Sequence, residues 1–147
     1  ITGQISDSQE DQEIWNYIKD NKLEDKIVFT GFKHGNELQE LLSHSTCIVC
    51  PAIWYENMPN TVIEAYAYGK PVVASRIGSL AEIVENDETG LLFEMKNSKD
   101  LSEKLRRFID DPTLSKKLGM NARHKVENEY AVEKHMNSVL RILEGKQ

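Results

Sequence analysis

The sequence predicts an α/β fold: a doubly wound parallel sheet followed by carboxyl-terminal helices. Up to Phe93, short apolar runs rich in β-branched residues alternate with segments whose apolar residues have helical spacing. From Leu101 onward the helical spacing continues to the end of the chain. The length of 147 residues and the hydrophobic content of 39% suffice for one domain with a core, so residues 1–147 are predicted to form a single domain.

The first part of the chain is predicted to hold two strands and two helices. The letters ITG (residues 1–3) resemble the end of a strand, and KIVFTGF (residues 26–32) predicts a short apolar strand. The helices are indicated by apolar residues three or four positions apart, which are Ile14, Trp15 and Ile18 in the first and Leu38, Leu41 and Leu42 in the second.

Three further strands are predicted in the middle of the chain, at TCIVCP (residues 46–51), PVVAS (71–75) and GLLF (90–93). Helices are predicted between them, over residues 61–68 and 80–84. Strands separated by helices pair in parallel, so helices are expected on both faces of the sheet.

The tail is predicted to be helical, with two interruptions. One lies at DDP (residues 110–112), because proline cannot continue a helix, and the other lies near Tyr130. The last helix places four apolar residues on one face, which predicts an exposed apolar patch: Val132, Met136, Val139 and Leu143.

Composition excludes several classes of partner. The formal net charge is -6 and the cations are scattered among acids, so no nucleic acid is expected as a partner. No apolar run approaches the roughly 20 residues of a membrane span, and residues 1–20 lack the pattern of a signal peptide. These features predict a soluble protein located in the cytoplasm.

Neither the cysteines nor the histidines predict a metal site. Cys47 and Cys50 form a C-x-x-C, but they lie in an apolar strand, which favours buried core thiols over a redox pair or zinc site. The four histidines have none of the spacings that build metal sites, so no bound metal is predicted; they are His34, His44, His124 and His135.

Two carboxylates, Glu56 and Glu64, follow the strand that ends at Pro51. Ligands of such sheets bind at the carboxyl ends of the strands, where helix amino termini favour anions such as phosphate. Each acid also has a purely structural interpretation. Thr61 and Glu64 match the spacing of a capping box, and Glu56 has the setting of an ordinary solvated loop acid.

The stretch from Pro51 to Glu94, together with KIVFTGF before it and DDPTLSKKLGMNARHKVENEY after it, resembles a known family. It is similar to the carboxyl-terminal, nucleotide-sugar-binding domain of the family 4 (group 1) retaining glycosyltransferases, which have the GT-B fold. The pair Glu56 and Glu64 matches the motif of two glutamates separated by seven residues. The resemblance implies a Rossmann-like sheet and transfer of a hexose from a UDP-, GDP- or ADP-sugar without a metal.

The resemblance also implies roles for individual residues. Glu56 is expected to be the catalytic-site acid that holds hydroxyls of the donor hexose, and Glu64 is expected to bind the two ribose hydroxyls. Phe32 and Lys33 match the loop that receives the nucleobase. Backbone amides around the sugar and diphosphate are expected from Asn57, Met58, Asn60 and Thr61.

The sequence departs from the family at three places. Asn57, Pro59 and Asn60 fill the run between the two glutamates, where the family often has glycines. Gly78 and Ser79 stand where a pair of glycines is common. In the family, a strand with an arginine and a lysine that neutralise the diphosphate precedes ITG, together with a helix and the acceptor-binding domain. The chain starts after them, so it is expected to be a carboxyl-terminal fragment that is inactive alone and that is poorly stable or self-associates in isolation.

The predicted activity is therefore hexose transfer, with retention of anomeric configuration, to a glycan or lipid-linked acceptor held by the amino-terminal domain. Peripheral association of the full-length enzyme with a membrane is compatible with such an acceptor. One alternative is a noncatalytic nucleotide or sugar-phosphate binding module. Another is a glycosidase, which needs both carboxylates flanking one sugar carbon.

Overall fold

The computed structural model describes residues 1–3 and 8–145, and within them it contains seven helices and three strands. The helices are α1 (Gln9–Asp20), α2 (Gly35–His44), α3 (Asn60–Ala67), α4 (Gly78–Ile83), α5 (Ser98–Asp110), α6 (Pro112–Glu129) and α7 (Val132–Leu143). The strands are β1 (Ile48–Cys50), β2 (Val72–Ser75) and β3 (Gly90–Phe93). Contacts between Cα atoms divide the chain into two compact units, residues 1–41 and 42–147.

In the first unit, helix α1 contains the three residues whose spacing predicts a helix, Ile14, Trp15 and Ile18. Ser8 caps the helix by accepting a hydrogen bond from the amide of Asp11, and Ile18 on its apolar face is buried. Trp15 packs against Phe29, with ring centroids 4.7 Å apart. The apolar spacing therefore predicted the helix, but of the three residues that mark its apolar face only Ile18 is buried, whereas Ile14 and Trp15 are exposed.

The strands predicted at residues 1–3 and 26–32 are wrong, because both segments are irregular. Hydrogen bonds do join them, from the amide of Thr30 to Ile1 O (3.0 Å) and from the amide of Gly3 to Gly31 O (3.1 Å). Residue Val28, which lies in the second segment, is 68% exposed. With so few bonds and so little burial, the two segments do not form a regular ladder.

The second unit contains a parallel sheet in the order β1-β2-β3, as the alternating pattern predicts. Helix α3 connects β1 to β2 and α4 connects β2 to β3. Alternate residues of β2 point to opposite faces, and each face packs into its own apolar cluster. One cluster contains Val72, Ala74 and residues of α3 and α4, while the other contains Val73 and residues of α5 and α6. The sheet is therefore covered by helices on both faces, which confirms the doubly wound prediction.

The tail breaks at both predicted places. Asp111 lies between α5 and α6 and caps α6 by accepting a hydrogen bond from the amide of Thr113 at 2.9 Å, with Pro112 as the first helical residue. Tyr130 ends α6, and α7 follows. Of the four apolar residues predicted to form an exposed patch on α7, Val132, Met136 and Leu143 are exposed and Val139 is half-buried. Across the described ranges, no helix has both the length and the apolar character needed to cross a membrane.

Candidate functional site

The loop between β1 and α3, residues 51–59, carries the first of the two candidate acids. Glu56 is half-buried, and its Oε1 accepts a hydrogen bond of 3.0 Å from Nε1 of Trp54. The Trp54 side chain itself is 61% exposed. The carboxylate of Glu56 is thus held in one orientation by a neighbouring side chain of the same loop.

The backbone of this loop is fixed against the start of α4. The hydroxyl of Ser79 donates a hydrogen bond of 2.6 Å to the carbonyl oxygen of Glu56. The ring of Tyr55 lies over Gly78, where an added Cβ atom would stand 2.8 Å from Cδ1 of Tyr55. Gly78 also has a positive φ of 47°, which favours glycine. Helix α4 therefore contacts the loop that carries Glu56 at two points.

The second acid, Glu64, lies on α3 and its side chain is exposed. Helical periodicity turns Val62, Ala65 and Tyr66 into the core and leaves Glu64 on the opposite side, so its apolar sequence neighbours do not enclose it. Among the described residues, its carboxylate has no hydrogen-bond or ion-pair partner. Both oxygens of this carboxylate are consequently available to a ligand.

The capping-box interpretation of Glu64 is wrong. Helix α3 begins at Asn60, its N-cap is Pro59, and no side chain makes a capping hydrogen bond. Thr61 is the second helical residue, so Glu64 lies beyond the position from which a glutamate reaches back to the N-cap amide. The first turn also contains no acidic residue. This helix terminus therefore presents uncapped amides that favour an anion.

The remaining predicted residues are all at the surface. Asn57, Met58, Asn60 and Thr61 are exposed and belong to the same unit as the two acids. Phe32 and Lys33 belong to the unit of residues 1–41. Phe32 is exposed and stacks with His34 at a centroid distance of 6.3 Å, and Lys33 pairs with Glu37 at 3.0 Å.

Sequence reasoning missed three residues of the site: Trp54, Tyr55 and Ser79. Nothing in spacing alone signals a bond from Trp54 to Glu56, because the loop conformation decides it. Gly78 and Ser79 did stand out as a departure from a glycine pair. The serine in that pair provides the hydroxyl that holds the loop.

The cysteine prediction agrees with the structure. Both thiols are free and partly buried. Cys47, just before β1, packs against one apolar cluster, and Cys50, the last residue of β1, packs against the other. Burial raises the pKa of Cys47, and it raises the pKa of Cys50 to about 11, with a further contribution from the Glu56 carboxylate. Such thiols are protonated and unreactive near neutral pH. Within residues 1–3 and 8–145, no three His, Cys, Asp or Glu side chains form a group that could hold a metal ion.

The fold has a parallel sheet with helices on both faces, and β1 is followed by a loop and an uncapped helix that each carry a glutamate. Its structural neighbours are carboxyl-terminal domains of GT-B glycosyltransferases. The solved structure of sucrose-phosphate synthase from Thermosynechococcus elongatus has this fold. It matches with a TM-score of 0.81 and 31% identity over 97% of this chain and 36% of its own.

The family model described as glycosyl transferases group 1 matches residues 1–125, and the chain belongs to this family. An uncharacterized glycosyltransferase of Methanocaldococcus jannaschii is 31% identical over 140 residues, which are 95% of this chain and 39% of that protein. The UDP-Gal:alpha-D-GlcNAc-diphosphoundecaprenol alpha-1,3-galactosyltransferase of Escherichia coli is 28% identical over 85% of this chain and 31% of its own length. The chain therefore spans about a third of the length of such relatives.

Proposed function

We propose that residues 1–147 form one donor-binding domain of a retaining hexosyltransferase that uses a nucleoside diphosphate sugar. The observation that carries the proposal is the pair Glu56 and Glu64, one oriented in a loop after β1 and the other unpaired on the helix that this loop enters. The group 1 match extends over residues of both compact units, which supports a single functional domain.

Glu64 is proposed to bind the ribose. A carboxylate has two acceptor oxygens and can accept hydrogen bonds from a pair of neighbouring hydroxyls. Such charge-assisted bonds are stronger than bonds between neutral groups. Because Glu64 is exposed and has no partner among the described residues, a ribose would not have to displace an existing interaction.

Glu56 is proposed to hold hydroxyls of the hexose and so to place its anomeric carbon for reaction. In the proposed reaction the bond from that carbon to the diphosphate oxygen breaks. The acceptor oxygen then bonds to the carbon from the same face, and the acceptor proton passes to the departing phosphate. This scheme requires no protein base, so the role of Glu56 is orientation and electrostatic stabilisation.

The amides between the two glutamates are proposed to face the sugar and the diphosphate. Those at Asn60 and Thr61 begin α3, whose amino terminus has neither a side-chain cap nor an acidic residue. The helix dipole and free amides there stabilise a diphosphate without a metal. Asn57 and Met58 contribute from the loop, and Phe32 and Lys33 are proposed to contact the nucleobase.

The partners are proposed from the relatives. The name of the Escherichia coli relative gives UDP-Gal as its donor and a diphosphoundecaprenol-linked sugar as its acceptor. For this protein we propose a UDP-, GDP- or ADP-hexose as donor and a glycan or lipid-linked acceptor. We place the reaction in the cytoplasm, with peripheral association of the enzyme with a membrane where the acceptor is lipid-linked.

The first test is a thermal-shift panel on the full-length protein. UDP, GDP and ADP are compared with UDP-glucose, UDP-galactose, GDP-mannose and ADP-glucose, because a ligand that binds only the folded state raises the melting temperature. A stabilising pair of nucleotide and nucleotide sugar is expected, and its stabilisation should persist in excess EDTA. If no ligand stabilises the protein, the proposed function is wrong; loss of binding in EDTA that magnesium restores would contradict metal independence alone.

The second test separates the two glutamates by calorimetric titration with the pair found in the panel. Glu64→Gln should weaken the sugar-free nucleotide and the nucleotide sugar equally, by about 1 to 3 kcal/mol for a lost charged hydrogen-bonding group. Glu56→Gln should weaken only the nucleotide sugar and should lower the transfer rate. Hexose transfer measured as release of the nucleoside diphosphate distinguishes an enzyme from a noncatalytic binding module.

A further inference from the structure

The hydrogen bond between Trp54 and Glu56 is not explained by packing. A tryptophan usually stabilises a protein by burying its large apolar ring, but Trp54 is 61% exposed. Its one polar group, the indole N–H, is a donor only, and it donates to Oε1 of Glu56 at 3.0 Å. The contact that Trp54 makes is thus directed at the acid.

The loop geometry favours this contact. Trp54 and Glu56 are two residues apart, and the residue between them, Tyr55, is directed onto Gly78 of α4. The Ser79 hydroxyl holds the Glu56 backbone from the same helix. With the backbone fixed on one side, the indole N–H fixes the carboxylate on the other.

We propose that Trp54 is a positioning residue for Glu56: its indole N–H occupies Oε1, which leaves Oε2 to accept the hydroxyls of the donor sugar. This inference rests on the proposed function. A carboxylate has about four lone-pair sites on its two oxygens, so one bond from the indole leaves enough acceptor capacity for sugar hydroxyls.

The benefit of this arrangement is preorganisation. A free glutamate side chain loses rotamer freedom when it binds a ligand, which reduces the net binding free energy. With Trp54 bonded to it, Glu56 has lost much of that freedom before the sugar arrives. Removal of the indole N–H should therefore weaken sugar recognition, with no effect on the nucleotide part of the donor.

The test compares Trp54→Phe with Trp15→Phe in the full-length protein. Both changes remove one indole N–H, but Trp15 lies in helix α1 against Phe29. Binding is measured with the nucleotide and nucleotide sugar identified in the panel. Trp54→Phe should lower the affinity for the nucleotide sugar roughly fivefold, the size expected for loss of one hydrogen bond to a charged group that is partly exposed. Binding of the sugar-free nucleotide should not change in Trp54→Phe, and Trp15→Phe should leave the ratio of the two affinities unchanged.

A double mutant then shows whether Trp54 acts through Glu56. In a Glu56→Ala background, which removes the acceptor of the indole N–H, Trp54→Phe should cause little further loss, because the effects of residues in one hydrogen-bonded pair are not additive. The proposal is wrong if the two losses in sugar affinity are fully additive. It is also wrong if Trp54→Phe leaves the affinity for the nucleotide sugar unchanged while Glu56→Gln lowers it. The latter result would leave the assignment of Glu56 to the hexose intact.

A readout without ligand tests the contact itself. The indole N–H resonance of Trp54, assigned by its disappearance in Trp54→Phe, should shift in Glu56→Gln and stay in place in Glu64→Gln. If this resonance does not shift in Glu56→Gln, the hydrogen bond is absent in solution and the inference is wrong. This conclusion does not depend on the identity of the donor.

Discussion

Glu56 and Glu64 belong to one sequence motif and follow the same strand, yet they are held in different ways. Glu56 is half-buried in a loop, and it is positioned by Trp54, by Ser79 and by the stacking of Tyr55 on Gly78. Glu64 is exposed on α3 without a partner among the described residues, and its position follows from a helix whose other face is core.

This difference separates two kinds of support. The position of Glu64 depends on many apolar contacts that also stabilise the fold, so it should change only when the unit is destabilised. The position of Glu56 depends on a few local contacts that contribute little to the core. Mutations around Glu56 should therefore affect sugar recognition at little cost in stability, and mutations beneath Glu64 should do the opposite.

The largest effect is expected from Gly78→Ala. The new Cβ atom would stand 2.8 Å from Cδ1 of Tyr55, so the ring must move, and we expect the loop that carries Glu56 to move with it. Because a misplacement of about 1 Å can cost roughly 100-fold in rate, we expect a loss of that order in sugar transfer by the full-length protein.

Gly69→Ala is the matched control for backbone strain. Gly69 also has a positive φ, of 64°, but its added Cβ atom would find its nearest neighbour at an ordinary 3.7 Å. Both substitutions should lower the free energy of unfolding by a similar 1 to 2 kcal/mol or so, the approximate cost of a left-handed conformation for alanine. If Gly69→Ala reduces transfer as strongly as Gly78→Ala, then contact with Tyr55 is not what positions the loop.

A smaller effect, on stability alone, is expected from Tyr66→Phe in α3. The buried Tyr66 hydroxyl shares a hydrogen bond of 2.7 Å with Oγ1 of Thr89, and its loss should lower the free energy of unfolding by about 1 to 2 kcal/mol. Nucleotide affinity should remain at the wild-type value, because the rest of the α3 core still holds Glu64. Denaturant unfolding and calorimetric titration measure the two quantities. The more exposed Tyr68, which has no hydroxyl partner among the described residues, serves as the control in Tyr68→Phe.

The sequence predicted the helices and the second unit's strands because these are specified by periodicity and by proline. Short apolar runs located the three strands of the sheet, and DDP located the break before α6. The strand expected at residues 26–32 failed, since an apolar run becomes a strand only when a neighbouring ladder accepts its hydrogen bonds. The sequence shows the apolar run, but it does not show which segment lies beside that run in the folded protein.

The site was predicted unevenly for a similar reason. The resemblance identified both glutamates by spacing, but the spacing does not show that the apolar sequence neighbours of Glu64 leave its side chain exposed. Helix geometry places those neighbours on the other side. Likewise, the capping box needed Thr61 as N-cap, and the helix begins before it. Trp54 and Ser79 could not be found from spacing, because loop conformation and a contact from α4 bring them to Glu56.

A still smaller effect is expected from Ser79→Ala. It removes the 2.6 Å hydrogen bond to the Glu56 carbonyl oxygen while Gly78 and Tyr55 remain. We expect the affinity for the nucleotide sugar to fall roughly threefold, with that for the sugar-free nucleotide unchanged, as suits one hydrogen bond near the solvent. Ser45→Ala is the control, since Ser45 makes the same kind of bond, to Leu42 O at 2.8 Å. If Ser79→Ala lowers the affinities for the nucleotide sugar and the sugar-free nucleotide equally, then Ser79 supports the whole site and not Glu56 in particular.

The smallest predicted effect is a change in the pKa of Cys50, which reports on the two glutamates. Burial is the main reason that the pKa of Cys50 is raised to about 11, and the negative charge of Glu56 raises it further by disfavouring the thiolate. In a Cys47→Ala background, Glu56→Gln should therefore lower the pKa of Cys50, so that alkylation begins at a lower pH than in the parent. Glu64→Gln should leave the pH profile unchanged, because Glu64 does not contribute to this shift.

The rate of iodoacetamide labelling between about pH 8 and pH 11 measures the profile, a range that brackets the ordinary thiol pKa. Equal profiles in the parent and in Glu56→Gln would place the Glu56 carboxylate farther from the end of β1 than the structure has it. The contrast between a fixed Glu56 and a free Glu64 would then have to be abandoned.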